Sequence, residues 1–162
     1  MKKVFSLLFF FFFLISSKAL LAENKKRDVP KIAVEIRTVL GKEDGIKQRD
    51  IQLDSRLNDL KGKLEKFPYT YYALIARQRA VLPVMKKSVF NVGKGYSLLL
   101  RPLYLDLKEK KVGVWLRWLD EKGHYLLDTK MHLALSEPLV SGTRYKDNKG
   151  ILLAISIKPY LK

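Results

Sequence analysis

Apolar and polar positions alternate along most of this chain, with one change of period. In IAVEIRTVL, Ile32, Val34 and Ile36 fall on one side and Glu35 and Arg37 on the other, which predicts a half-buried strand over 32–40. Gly41 to Asp50 is polar, carries two glycines and reads as a loop. Leu53, Leu57, Leu60, Leu64 and Phe67 then follow at spacings of four, three, four and three. That spacing places them on one stripe of an amphipathic α-helix of about three turns over 54–67. Asp54 or Ser55 supplies the N-cap and Pro68 the stop. Arg56, Asp59, Lys63 and Lys66 lie on the polar side, and a lone helix with one apolar stripe has to dock on a sheet.

After Pro68 the pattern is β throughout. Tyr69–Arg79 and Ala80–Val92 are extended, the second broken by Pro83. Gly93-Lys94-Gly95 predicts a hairpin into Tyr96–Leu107, and further turns at 109–111 and 120–123 lead into Val112–Leu119 and His124–Leu135. Leu139-Val140 reads as a short strand, Ser141–Gly150 as a polar loop and Ile151–Ile157 as the last strand. In His124–Leu135, Tyr125, Leu127, Met131, Leu133 and Leu135 are expected to face the core, with Asp128, Lys130 and His132 facing water. ILLAISI is apolar on both faces and is expected in the centre of a sheet. The fold class is mainly β: an antiparallel meander of about seven to nine strands, as a sandwich or partly open barrel, with one amphipathic helix near its start.

The first residues bear on compartment. Lys2 and Lys3 precede an apolar run from Val4 to Ile15, interrupted only by Ser6 and too short to span a bilayer. Ser17-Lys18-Ala19 fits a signal peptidase, so 1–19 reads as a signal peptide, with Ala22 as a second cleavage position. Residues 20–31 read as a flexible basic leader and 32–162 as one β-rich domain, with no transmembrane span once the signal is removed. An uncleaved anchor from Val4 to Leu21 is the alternative, and Lys18 interrupts it. Cysteine is absent, which excludes disulfides, lipidation at the cleavage site and thiolate metal ligation.

Charge narrows the partners. The chain holds 32 basic and 16 acidic residues, and without Lys2, Lys3 and Lys18 the excess falls from +16 to +13. Such a field favours anionic partners, though scattered lysine also simply keeps a surface solvated. Lys25-Lys26-Arg27 in the leader could touch anionic head groups.

Catalytic patterns are missing. His124 and His132 are eight residues apart on one predicted strand, about 26 Å at ~3.3 Å per residue, too far to share a metal. No carboxylate stands in a plainly apolar context; Asp106 and Asp128 come closest. Gly93-Lys94-Gly95 leads into a strand, not a helix, and is no phosphate loop. No enzyme activity, cofactor or metal is expected.

One basic and aromatic group remains. If Val114, Leu116 and Trp118 face the core, Trp115, Arg117 and Leu119 face outward, with Arg101 on a neighbouring strand of the same face. Such a face can stack rings and grip anions. The simpler expectation is that the helix or the second sheet covers it.

The segment Asp54, Leu57, Leu60, Leu64, Phe67, Tyr72, together with Gly142, Tyr145, Gly150, Leu152 and Ile155 near the end, resembles a family of small exported β proteins of delta-proteobacterial-type bacteria. The resemblance implies a compact exported β domain and no assigned activity; Asn148-Lys149 and the basic surface depart from it. The expected function is a non-catalytic envelope or periplasmic protein that binds another envelope protein as an assembly accessory module, through Arg101, Trp115, Arg117 or through Lys25, Lys26, Arg27. The alternative is electrostatic attachment to anionic lipid head groups or acidic glycan in the periplasm or at the cell exterior; nucleic acid is not an expected partner of an exported chain.

Overall fold

The computed structural model describes residues 29–43, 45 and 50–160. The signal segment, its cleavage positions and Lys25, Lys26 and Arg27 lie outside the described residues. Nine strands are described: β1 (Lys31–Lys42), β2 (Gln52–Leu53), β3 (Tyr71–Pro83), β4 (Ser88–Asn91), β5 (Ser97–Asp106), β6 (Lys111–Leu119), β7 (Tyr125–Ala134), β8 (Leu139–Lys146) and β9 (Lys149–Pro159). They form a five-stranded sheet in the order β2-β3-β1-β9-β8 and a four-stranded sheet in the order β4-β5-β6-β7, and neither closes into a barrel. Every neighbouring pair is antiparallel except the parallel β2–β3. Only the four-stranded sheet is a meander; in the larger one β1 pairs with β3 and with β9.

The inner faces of the two sheets share one core. Ile32, Val34, Ile36, Ile151, Leu153, Ile155 and Ile157 meet Leu98, Leu100, Val112, Val114, Leu116 and Trp118, all at most 3% exposed. The outer face of the five-stranded sheet holds a second cluster, in which Leu57, Leu60 and Leu64 pack on Val39, Tyr72, Leu152 and Ala154. This explains why β9 is apolar on both faces: one meets the other sheet, the other meets the helical segment.

That segment is shorter and more tightly wound than its periodicity predicts. Ser55–Leu60 is a 3-10 helix and only α1 (Lys61–Leu64) is α-helical. The spacing itself supplies a reason. Leu57 and Leu60, three apart, align in a 3-10 turn, while Leu60 and Leu64, four apart, align in an α turn. Asp54 is the N-cap, accepting from Arg56 N at 3.0 Å. The Tyr72 hydroxyl donates to Leu64 O at 2.7 Å, closing the far end, and burial pushes its pKa up to about 12.

A charged clamp joins helix and sheet. Arg37, only 5% exposed, donates from Nη1 and Nη2 to Asp59 Oδ1 and Oδ2, both at 2.7 Å. That hydrogen-bonded pairing raises the arginine's pKa and lowers the aspartate's. On the sequence pattern Arg37 faces outward, and it does; the helical segment then buries it.

Two segments correct the sequence reading. Tyr71–Pro83 is one continuous strand that Pro83 ends, with Val84 N donating to Pro30 O beyond it. Ser141–Lys146, expected as a loop, continues β8 into a tight turn at Asp147-Asn148, where Asn148 takes φ 54°. As an edge strand β8 is half exposed, so its residues carry the polarity of a loop.

Candidate functional site: the outer face of the four-stranded sheet

Alternation along β6 sends Val112, Val114, Leu116 and Trp118 into the core and Trp115, Arg117 and Leu119 outward. Register places neighbours around them. Arg101 of β5 and Lys130 of β7 lie directly opposite Trp115, and Leu99 and Asp128 lie opposite Arg117. The expected outward placement of Trp115, Arg117 and Arg101 is therefore what the structure shows. Among the described residues no element covers this face, because the helical segment packs on the other sheet. The expectation that helix or second sheet hides it is corrected on that ground.

Two register breaks add aromatic rings. In β5 the pairing steps from Pro102 to Tyr104 against Val114 and Gly113, and in β7 it steps from Leu127 to Tyr125 against Trp118 and Leu119. Each bulge resets the alternation and turns a tyrosine outward. Tyr125, expected in the core, is 60% exposed for this reason, and Tyr104 is 39% exposed. Gly113 makes room for Tyr104: a Cβ there would lie 2.8 Å from Tyr104 Cδ1. Beyond the glycine, the Tyr104 ring approaches His132 at 5.7 Å between centroids.

The centre is a cation between two rings. The Arg117 guanidinium carbon lies 4.1 Å from the Trp115 ring centroid and 5.4 Å from that of Tyr125. Asp128 ties the stack down: its Oδ1 accepts from Trp115 Nε1 at 2.7 Å, and its Oδ2 lies 2.9 Å from Arg117 Nε. That second contact is an ion pair but misses hydrogen-bond geometry. Asp128 thus orients the stack and offsets one positive charge. Arg101 donates from Nε to Met85 O at 3.0 Å, which fixes its stem. Among the described residues, the Nη groups of Arg101 and Arg117 and the ammonium of Lys130 have no hydrogen-bond acceptor, so three cations border the indole with donors to spare.

Other expected chemistry falls elsewhere. His124 lies before β7, in the β6–β7 turn, with Nδ1 3.0 Å from Asp120 Oδ2. Burial acts to raise the Asp120 pKa, but the His124 and Lys122 amides and the His124 ring outweigh it, and the net shift is downward. Among the described residues no three His, Asp or Glu side chains converge on a metal position, and no helix is long and apolar enough to cross a membrane. Sequence reasoning did not find Tyr104, Tyr125 or the bridging role of Asp128. The isolated Gly113 inside an apolar strand was the available signal for a close approach.

Neither a family model, nor a curated protein, nor a solved structure matches this chain.

Proposed function

We propose that this chain is a non-catalytic exported envelope protein that works by binding, and that the outer face of the four-stranded sheet holds an acidic glycan. One observation carries the reading: Arg101, Arg117 and Lys130 present unsatisfied donors around a half-buried indole that no described element covers. Rings offer a flat surface for the apolar face of a sugar, and the guanidinium edges offer donors for its carboxylate. Lipid head groups share the anionic chemistry, and binding to vesicles beside the glycan separates the two ligands. In this reading the two sheets form a β-sandwich that acts as a rigid support. Lys2, Lys3 and the apolar run behind them support a signal peptide over 1–19 and a place in the periplasm or at the cell exterior.

The test uses the protein from Leu20 onward and polygalacturonate, with neutral dextran and phosphatidylglycerol vesicles beside it. Polygalacturonate should bind, weaken as salt shortens the screening length below ~10 Å, and lose about tenfold in affinity with Trp115→Ala or Arg117→Ser. Equal binding of dextran, or indifference to Trp115→Ala, overturns the reading. Binding of vesicles alone, untouched by Trp115→Ala, reassigns the basic surface to lipid.

A further inference from the structure

A second open surface lies on the other sheet. β2 pairs only with Tyr71 and Tyr72 of β3, so beyond them β3 has β1 on one side and, among the described residues, no strand on the other. Side chains meet the first backbone groups of that edge: Leu74 N donates to Asp54 Oδ2 at 3.4 Å, and Arg56 Nη2 donates to Leu74 O at 3.5 Å. Further on, Arg77, Arg79 and Val81 are exposed and alternate with half-buried residues. Two hollows flank this stretch. A cavity of about 300 Å³ between Arg56, Ile75 and Arg77 opens at its start, and a trough of about 550 Å³ over Ala33, Glu35, Val81 and Lys158 runs along the sheet's outer face beside it.

An unpaired edge offers a row of N–H and C=O groups to any extended chain. The bulge at Ile75 and the proline at 83 limit flat pairing to the residues between them. Charge selects the occupant. Arg77 and Arg79 share the single carboxylate of Glu35, through a hydrogen bond from Arg77 and a 3.4 Å contact from Arg79. Arg56 stands at the start of the edge and Lys158 across the trough. A second copy of this chain would set Arg77 and Arg79 against their own counterparts, and like charges facing across strands repel. A strand bearing carboxylates would complete them. We propose that the edge of β3 over Ala76–Val81 accepts an extended acidic segment of a partner protein as a further strand of the five-stranded sheet.

The probe is a short capped peptide of alternating glutamate and valine. Its controls are a lysine–valine counterpart and the acidic peptide N-methylated at every residue, which removes the donors of both edges. In amide NMR spectra of the protein from Leu20 onward, the acidic peptide should shift the Ala76–Val81 amides and slow the hydrogen exchange of those that point away from β1. Both controls should leave them unchanged. Arg79→Ser, at a side chain 67% exposed, should weaken binding about tenfold without unfolding the domain, and Trp115→Ala should leave it unaltered. Absence of binding, perturbation confined to other strands, or equal binding of the methylated acidic peptide overturns the proposal.

Discussion

The Arg37–Asp59 clamp predicts an asymmetry between two mutations of one ion pair. The Arg37 side chain is 6% exposed and that of Asp59 is 61% exposed. Asp59→Ala leaves a desolvated guanidinium whose remaining partner is Arg56 O at 3.4 Å and whose Nε already lacks an acceptor. Stranding a buried charge costs about 3–5 kcal/mol, and water entering from the open Asp59 side reduces that to about 2–3 kcal/mol. Arg37→Met leaves only a carboxylate that water solvates where it stands, and removes the buried charge; its cost should stay within about 1 kcal/mol of zero. For a domain of this size the difference corresponds to roughly 5–10 °C in Tm. Urea titration followed by the fluorescence of Trp115 and Trp118 measures both variants. If Arg37→Met costs as much as Asp59→Ala, the pair stabilises by its own attraction and the reasoning from unequal burial is refuted.

Acid should weaken the fold in a defined window. Asp59, held down by the Arg37 hydrogen bond, and Glu35, where Arg77, Arg79 and Arg37 outweigh burial, both titrate below their ordinary values of 3.8 and 4.5. The unfolded chain therefore binds more protons in that range, so their contribution is complete above about pH 5 and is lost as pH falls through the lower folded values. Tm measured across this range should drop less steeply in Asp59→Asn, and an unchanged slope would contradict the assignment. Gly113→Ala should push the Tyr104 ring aside at a cost of about 1 kcal/mol. The His132 ring-proton shifts should change with it, and constancy of those shifts would show that Gly113 is not what admits Tyr104.

Where one face of a strand is buried and the other at least partly open, alternation was enough: the first half of β1 and the whole of β6 could be oriented from sequence, and Trp115 and Arg117 with them. The doubly apolar β9 was legible too, because a strand covered on both sides has nowhere to place a polar residue. Bulges defeated the same logic. One extra residue at Leu103 and one at Leu126 invert the alternation; Pro102, which cannot donate to a ladder, was a local signal of the first, the second has none in the local composition, and Tyr104 and Tyr125 were missed. In β8 the polarity of a half-solvated edge hid a strand. Arg37 was placed on the right side of its strand but not beneath the helix, since tertiary cover leaves no periodic trace.

The order of strands has a consequence for how the chain reaches its final state. β1 lies at the heart of the larger sheet, flanked by β3 and by β9, which comes far later in the chain, and Tyr160 N closes back on Lys31 O at 3.0 Å. A chain made N-terminus first cannot finish that sheet until β9 arrives. Pairing of the two ends at such sequence separation carries a large loop-closure cost and slow kinetics. A stop before β9 would leave β1 without one of its two neighbours and, among the described residues, β8 without any strand to pair with.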